Sequence, residues 1–263
     1  MNQKKRGHSL TKISIMHYYK LVFRSILLLA AAGLYIFHRP SDVNSLFTTL
    51  YDMPVILLLI WMLFVVEMIL RFLPSNLESM GCQKQFACNY IPRETDKKTE
   101  QERSEDSIVG VIVFWVILNV LIGILYYTHV IDAFVLLLIS LAYSVCDMIC
   151  ILFFCPFQTW MMKNKCCGSC RIYNWDFAMM FTPLVFVPTA YTWSLLGIAL
   201  LLLITWEIMY KRHPERFYED TNLSLTCANC PEKLCHHKKQ LHRFWTREKK
   251  RVQERLKNLP PKT

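Results

Sequence analysis

The sequence predicts an all-α fold: a polytopic transmembrane helical bundle of about six spans, followed by a basic amphipathic cytoplasmic C-terminal helix. Three observations predict it. The 263-residue chain is 54% apolar and only 19% charged, below the roughly 25% of charged residues usual in soluble domains. Its apolar residues are gathered in runs of about 18 or more, which is long enough to cross a bilayer. Its basic residues are distributed so unevenly that they also predict an orientation.

The clearest apolar runs predict four spans. Their approximate bounds are 20–37, 54–73, 108–129 and 133–154. The first could instead be a signal peptide, because a basic start precedes the 13-residue apolar run from Ser25 to Phe37. The long N-terminal region and the lack of a clear A-x-A cleavage site before Pro40 favour a retained span.

Residues 177–210 form an apolar block of 34 residues. A single helix of that length would measure about 51 Å, whereas the hydrocarbon core of a bilayer is about 30 Å thick. The block is therefore predicted to hold two helices, about 177–189 and 192–210, with a turn near Pro188. The first of these helices is short and contains Pro183, so a bundle of five spans is the alternative.

The basic residues predict that both termini are cytoplasmic, in a plasma or inner membrane. In that orientation 29 of the 30 Lys and Arg residues face the cytoplasm, and the outer connections contain only Arg39. The positive-inside rule favours this arrangement strongly. The chain then divides into a cytoplasmic N-terminal segment, a transmembrane helical domain and a cysteine-containing basic tail: 1–19, 20–210 and 211–263.

None of the eleven cysteines lies on the predicted outer side. Cys82 and Cys88 lie between the second and third spans, where they are either ligands or bystanders. Cys146 and Cys150 lie one helical turn apart in the fourth span, which favours helix packing, and Cys155 marks its inner end. Disulfides seldom persist in a reducing cytosol, so a disulfide staple is disfavoured.

Two C-x2-C pairs, CGSC and CANC, predict a metal site on the cytoplasmic side. This spacing lets two thiolates reach one zinc ion or one iron–sulfur cluster. The predicted hairpin of spans five and six leaves the cytoplasmic face and returns to it, so the loop and the tail can meet. The candidate ligands are Cys167, Cys170, Cys227 and Cys230, with Cys166, Cys235, His236 and His237 in reserve.

Other interpretations of these cysteines stay open. The juxtamembrane stretch KNKCCGSCR is also typical of an S-palmitoylation site, and the thiols could be unliganded or redox-active. The adjacent histidines suit zinc, whereas the excess of cysteines and the Cys-Pro steps at Cys155 and Cys230 suit a cluster.

Three acids lie inside predicted spans: Glu67, Asp147 and Glu207. Charges at membrane depth are costly and indicate function by default. Glu67 can pair with Arg71 one turn on, and Glu207 can reach Lys211 or water. Asp147 has no basic residue nearby in sequence. If these acids share one cavity, the protein is an ion- or proton-coupled transporter.

The tail from 211 to 263 contains fourteen basic and six acidic residues. Its apolar residues recur at helical spacing between His236 and Leu259, which predicts a basic amphipathic helix on the anionic lipids of the inner leaflet. Nucleic-acid binding is disfavoured, because the segment is tethered to the bilayer and has no recognisable nucleic-acid-binding fold.

The motifs of common enzyme classes are absent from the sequence. It has no P-loop, no H-E-x-x-H, no G-x-S-x-G and no dinucleotide fingerprint. The leading hypothesis is therefore a membrane bundle whose cytoplasmic cysteines bind zinc or an iron–sulfur cluster, in a structural or electron-relay role. The alternatives are the transporter that uses intramembrane acids, and a membrane anchor or assembly scaffold.

Overall fold

The computed structural model describes residues 12–37, 54–74, 83–93, 99–162, 170–226 and 251. These residues are mostly helical, and no strand occurs among them. The α-helices they form are α1 Lys12–Phe37, α2 Pro54–Leu70, α3 Thr99–Tyr127, α4 Ala133–Leu152, α5 Asp176–Phe181 and α6 Ala190–Arg212. Short 3-10 segments and one π-helical turn, Phe157–Met161, connect or flank them.

Among the residues that the structure describes, four helices are long and apolar enough to cross a membrane, as judged by length and composition. They are Ile15–Phe37, Ile108–Tyr127, Ala133–Leu152 and Ala190–Arg212. The apolar part of α2, Val55–Leu70, is shorter. Helices suit these sequences because a helix satisfies every backbone polar group internally, which lipid cannot do. The prediction of a helical membrane protein is confirmed at this level.

A continuous helical rod runs from residue 171 to residue 186. It consists of a 3-10 segment, Arg171–Trp175, then α5, then a second 3-10 segment, Thr182–Phe186. Because a 3-10 helix rises about 2.0 Å per residue and an α-helix about 1.5 Å, the rod is about 29 Å long. The rod begins at residue 171, whereas the fifth span was predicted to begin at residue 177.

The rod turns back into α6 where the sequence predicted a turn. Thr189 caps α6 through a capping box with Thr192, so the helix starts directly after Pro188. The rod and α6 are antiparallel: the ring nitrogen of Trp193 donates to the carbonyl of Val185 at 3.3 Å, and Arg171 contacts Glu207 near the other end.

Side-chain contacts show that successive long helices alternate in direction. Helix α1 lies antiparallel to α4, since the hydroxyl of Tyr35 bonds Asp132 at 3.1 Å and Tyr18 packs against Phe153 at the opposite ends of both helices. We name the two ends of the bundle by these contacts. The turn end contains Phe37, residues 127–133 and residues 187–189; the basic end contains Tyr18, residues 71–74, 152–162 and 170–175, and Tyr210.

The main apolar core lies where α2, α5 and α6 meet. Met68, Phe177 and Leu202 are fully buried there, and Phe64 packs edge-on against Phe181. Apolar side chains on the outer faces of the helices are instead exposed, among them Leu29, Ile117 and Leu201. A continuous exposed apolar belt of this kind is compatible with a lipid-bilayer environment.

At the basic end, one asparagine joins the loop before α3 to the segment after α6. The Asn222 side chain is completely buried; its Nδ2 donates to the carbonyls of Lys84 (3.1 Å) and Arg216 (2.9 Å). Two backbone bonds flank it, from Arg93 to Thr221 and from Leu223 to Ile91. We call this connection between residues 83–93 and 213–226 the Asn222 clasp.

Candidate functional site: paired buried charges beside a sulfur-lined cavity

Arg24, in the middle of α1, is the centre of a buried cluster of charges. Only 2% of its surface is exposed. Its Nη2 donates to Glu67 of α2 at 2.6 Å, and its Nη1 donates to Asp147 of α4 at 3.4 Å and to the carbonyl of Ser144 at 3.1 Å. Two carboxylates compensate the charge of this guanidinium in the interior, while its buried Nε has no hydrogen-bond partner among the described residues. Arg24 therefore ties three helices together.

A second ion pair lies next to the first. Arg71, just after α2, donates to Asp176 at the start of α5 at 2.6 Å, and its guanidinium lies 4.5 Å from the centroid of the Phe177 ring. Asp176 also accepts the Phe177 amide at 2.8 Å, as a carboxylate at a helix N-terminus favours. Its other oxygen, Oδ2, is buried and has no hydrogen-bond donor among the described residues.

We treat the two pairs as one charge network, because Asp147 of the first pair and Asp176 of the second line the same cavity. Lys20 joins it at one edge, 3.6 Å from Glu67. The members of the charge network are Lys20, Arg24, Glu67, Arg71, Asp147 and Asp176. Three are basic and three are acidic, so their formal charges cancel.

Glu207 belongs to a separate cluster at the basic end. Arg171 binds its carboxylate with two nitrogens, one of them at 3.1 Å, and the Trp175 ring nitrogen donates to it at 2.7 Å. The Arg171 guanidinium also lies 3.9 Å from the centroid of the Tyr210 ring. Burial acts to lower the pKa of Arg171, but the hydrogen bond and charge of Glu207 outweigh burial and raise it. Arg171 thus supplies the partner that we expected from Lys211 or water.

A cavity of about 140 Å³ lies beside the charge network, between α3, α4 and α5. Asp147 and Asp176 form part of its wall. Six sulfur-containing side chains line it: Cys146, Cys150, Cys155, Cys170, Met179 and Met180. Four aromatic side chains complete most of the wall: Trp115, Tyr143, Phe157 and Tyr173. The cavity is thus largely apolar, with two carboxylates on one side.

The three predicted intramembrane acids do not share this cavity. Asp147 lines the cavity. Glu67 is paired with Arg24 and Lys20 and is not part of the cavity wall. Glu207 is paired with Arg171 in a separate cluster. The second acid of the cavity wall is Asp176, which the sequence analysis did not select. Asp147 does have a basic partner, Arg24, although the two residues are 123 positions apart.

Of the six predicted metal ligands, the structure describes only Cys170. It is buried and lines the cavity. The other five predicted ligands lie outside the described residues: Cys166, Cys167, Cys227, Cys230 and Cys235. The predicted tail helix also lies outside them, apart from residue 251. Within the described ranges, no three His, Cys, Asp or Glu side chains are placed to hold a metal ion. Cys146 and Cys150 share one face as predicted, but that face forms cavity wall rather than a packed helix contact.

The residues that sequence reasoning missed are basic partners and a helix-start acid. Arg24 was counted only as an inside charge, although an arginine within an apolar run is itself a signal of a buried partner. Asp176 stands one residue before the apolar block that begins at 177. The assembled site combines ion-paired carboxylates with an apolar cavity, which is suited to proton exchange and ligand binding. No protein-family model matches this chain, and neither a curated protein nor a solved structure matches it.

Proposed function

We propose that this chain is a membrane transporter that couples the movement of a proton or an ion to that of a substrate through Asp147. One observation carries the proposal: Asp147 lines the cavity and, among the described residues, meets the charge network through a 3.4 Å hydrogen bond from Arg24. Its side chain is 16% exposed, the largest exposed fraction among the three acids of the network. It is therefore the network carboxylate best placed to exchange a proton with the cavity.

The coupling follows from the charge balance. When Asp147 gains a proton, Arg24 keeps only one carboxylate partner, Glu67, and the network acquires a net positive charge. An uncompensated charge in a low-dielectric interior is costly. Protonation therefore favours a rearrangement that hydrates Arg24 or shifts α1 relative to α4. Such a protonation-linked change of state is what coupled transport requires.

The proposal includes six membrane crossings with both termini cytoplasmic. The four long helices supply four crossings, and α2, with 17 residues, adds a fifth of about 26 Å. The rod from 171 to 186 adds the sixth, with Arg171 and Trp175 at its interfacial end. The alternation of the helices supports this count, and the basic residues concentrated on one side support the orientation in a plasma or inner membrane.

Liposomes containing the purified protein test the proposal. We expect a flux that depends on an imposed pH or ion gradient, read by an internal pH dye and by sodium and potassium indicators. Asp147→Asn should abolish that flux while leaving expression and gel-filtration behaviour unchanged. Glu207→Gln is the matched control, because it removes a paired acid that lies away from the cavity. A flux that Asp147→Asn leaves intact, or that both variants abolish equally, rejects the role of Asp147.

As a second candidate function, we propose that the cytoplasmic cysteines bind zinc or an iron–sulfur cluster, in a structural or electron-relay role. The Asn222 clasp favours it. The clasp holds the loop that contains the exposed Cys88 against a segment that ends, at Thr226, one residue before Cys227. The loop cysteine and the first tail cysteine are therefore attached to segments that contact each other, which favours a metal site with ligands from both the loop and the tail. Cys227 and Cys230 remain the leading ligands.

Metal analysis of anaerobically purified protein tests this second candidate. About one equivalent of zinc, or iron with a visible charge-transfer band, is expected per chain. A Cys227→Ser/Cys230→Ser double variant should lose it, and Cys146→Ser is the control. Metal below about a tenth of an equivalent rejects the candidate.

We also propose that the basic tail contacts anionic lipids of the inner leaflet. Its fourteen basic residues against six acidic ones support this. A peptide of residues 211–263 should bind vesicles containing phosphatidylserine, and added salt should release it. Equal binding to neutral vesicles contradicts the proposal.

A further inference from the structure

The cavity is sized for a single small ring. Its volume is about 140 Å³, and an engineered protein cavity of about 150 Å³ binds benzene. A single six-membered ring with one small substituent therefore fills it.

The wall chemistry favours an aromatic occupant over an aliphatic one. Sulfur atoms of cysteine and methionine make favourable contacts with aromatic rings, and six such side chains line the cavity. Aromatic side chains also prefer edge-to-face or offset contacts with another ring. Trp115 and Tyr143 already lie in a tilted pair, 5.2 Å between ring centroids, at the cavity wall.

The charge of the wall selects a neutral ligand that donates a hydrogen bond. The formal charges of the described network members cancel, so a charged substrate that enters without the coupling proton or ion would leave an unbalanced charge in a low-dielectric site. The wall also holds the Gln158 amide and the polar atoms of Trp115, Tyr143 and Tyr173, but its charged groups, Asp147 and Asp176, are carboxylates, which only accept hydrogen bonds. Asp147 is partly exposed, and within the described part of the charge network it bonds Arg24, at 3.4 Å. An O–H or N–H donor can bind there without moving a charge.

From this combination we infer that the cavity binds a neutral, single-ring aromatic molecule that carries one O–H or N–H donor, with phenol as the simplest example. The ring lies among the sulfur and aromatic side chains, and its donor bonds the Asp147 carboxylate. The inference rests on the proposed function in one respect: it names the substrate class of the same cavity.

Binding of phenol to the purified full-length protein in detergent tests the inference, with saturation-transfer NMR as the readout. Cys146→Phe fills the cavity from its wall, at a side chain that is exposed and so accepts a larger group. Cys88→Phe is the matched control, because Cys88 is also exposed but lies in the loop outside the cavity. Subtracting the saturation-transfer signal of Cys146→Phe from that of the wild type removes the contribution of phenol that only partitions into the micelle.

Phenol should bind the wild type and Cys88→Phe equally, and binding should disappear in Cys146→Phe. Anisole, which has the ring but no donor, should bind roughly tenfold more weakly than phenol, because a hydrogen bond to a charged acceptor is lost. Asp147→Asn should weaken phenol by a similar factor and leave anisole unchanged. Three results would overturn the inference. The first is equal affinity for phenol and anisole, and the second is phenol binding that persists in Cys146→Phe. The third is a lipid acyl chain in the cavity that phenol fails to displace.

These outcomes separate the inference from the proposed transport. Gradient-dependent flux that requires Asp147, without specific phenol binding, keeps the transporter and rejects this ligand class. Specific phenol binding, with a flux unaffected by Asp147→Asn, keeps the cavity as a ligand site and rejects the transport role of Asp147.

Discussion

The charge network and the Asn222 clasp perform the same task with different chemistry. Each joins segments that are far apart in sequence: Arg24 joins α1, α2 and α4, and Asn222 joins the loop before α3 to the segment after α6. The network uses full charges between the helices, with Arg71 and Asp176 at the basic end, whereas the clasp uses a neutral amide between the loop and the segment that lie beyond the helices at that end. The difference lies in what remains after one partner is removed.

Removing Arg24 from the charge network leaves Glu67 and Asp147 buried without their shared cation. Such losses cost about 3–5 kcal/mol, although an intact buried ion pair is weak evidence for net stability. Removing Asn222 leaves neutral backbone carbonyls without a donor, which costs about 1–3 kcal/mol. The charge network therefore acts mainly as a constraint on which helices meet, and the clasp acts as an ordinary stabilising contact.

The largest effect is expected for Arg24→Met. This change leaves Glu67 and Asp147 without their shared cation in the interior, and we expect a loss of about 3–5 kcal/mol in the free energy of unfolding. Unfolding in mixed detergent micelles, followed by circular dichroism, measures it. Lys20→Met is the control, because its contact with Glu67 is 3.6 Å long and partly exposed; it should cost less than about 1 kcal/mol. Equal losses in the two variants would show that Arg24 is not the centre of the charge network.

A smaller effect is expected for Asn222→Ala. The carbonyls of Lys84 and Arg216 lose their donor, and the amide of Ser224 loses an acceptor at 3.0 Å. We expect a loss of about 2 kcal/mol and faster amide hydrogen exchange in residues 83–93. Thr226→Val is the control, because the hydrogen bond of its hydroxyl, to the Leu223 carbonyl at 2.7 Å, stays within the segment after α6. Unchanged exchange in the loop would contradict the role of the clasp.

The smallest effect is expected for Arg171→Lys, at the boundary between the two regions. The variant loses the two-nitrogen contact with Glu207 and part of the ring contact with Tyr210, which we expect to cost about 1 kcal/mol at pH 7. A group whose pKa is higher in the folded state than in the unfolded state adds to the free energy of unfolding. This contribution is complete at every pH below the unfolded pKa, and it is lost as the pH rises through the folded pKa. The pKa of Arg171 is raised, so this contribution is constant between about pH 6 and 10.

The stability difference between the wild type and the Arg171→Lys variant should also depend on pH. Lysine has an ordinary pKa of about 10.4, so the Arg171→Lys variant should lose further stability above about pH 10. The measurement is the melting temperature of wild type minus that of the variant, from pH 7 to 11. A difference that does not widen at high pH would show that the charge of residue 171 contributes little.

The apolar runs were sufficient to predict the long helices, because the composition of a membrane-crossing helix is set by the lipid around it. The turn after Pro188 was also predictable, from length and from proline. The 3-10 form of residues 171–175 was not, because hydropathy does not distinguish an α-helix from a tighter one. The predicted count of six spans and the cytoplasmic tail helix go beyond what the described residues show.

The site was less predictable than the helices. Arg24 and Asp147 were both visible as charges inside apolar runs, but their pairing is set by the crossing of α1 and α4 and has no local pattern. The cavity likewise arises from how α3, α4 and α5 pack. Cys146 and Cys150 could be placed on one face by their spacing, yet spacing does not show whether that face meets another helix or a space.

The position of Arg24 has a consequence for synthesis of the protein. Helix α1 leaves the ribosome with a guanidinium at mid-helix, whereas its partners Glu67 and Asp147 follow 43 and 123 residues later. An unpartnered arginine at the centre of a helix opposes insertion by about 2.5–3.5 kcal/mol. We therefore expect α2, which brings Glu67 to Arg24, to stabilise α1 in the bilayer. Translocation intermediates truncated before Glu67 should accordingly be extractable by alkaline carbonate, and those extended beyond α2 should not.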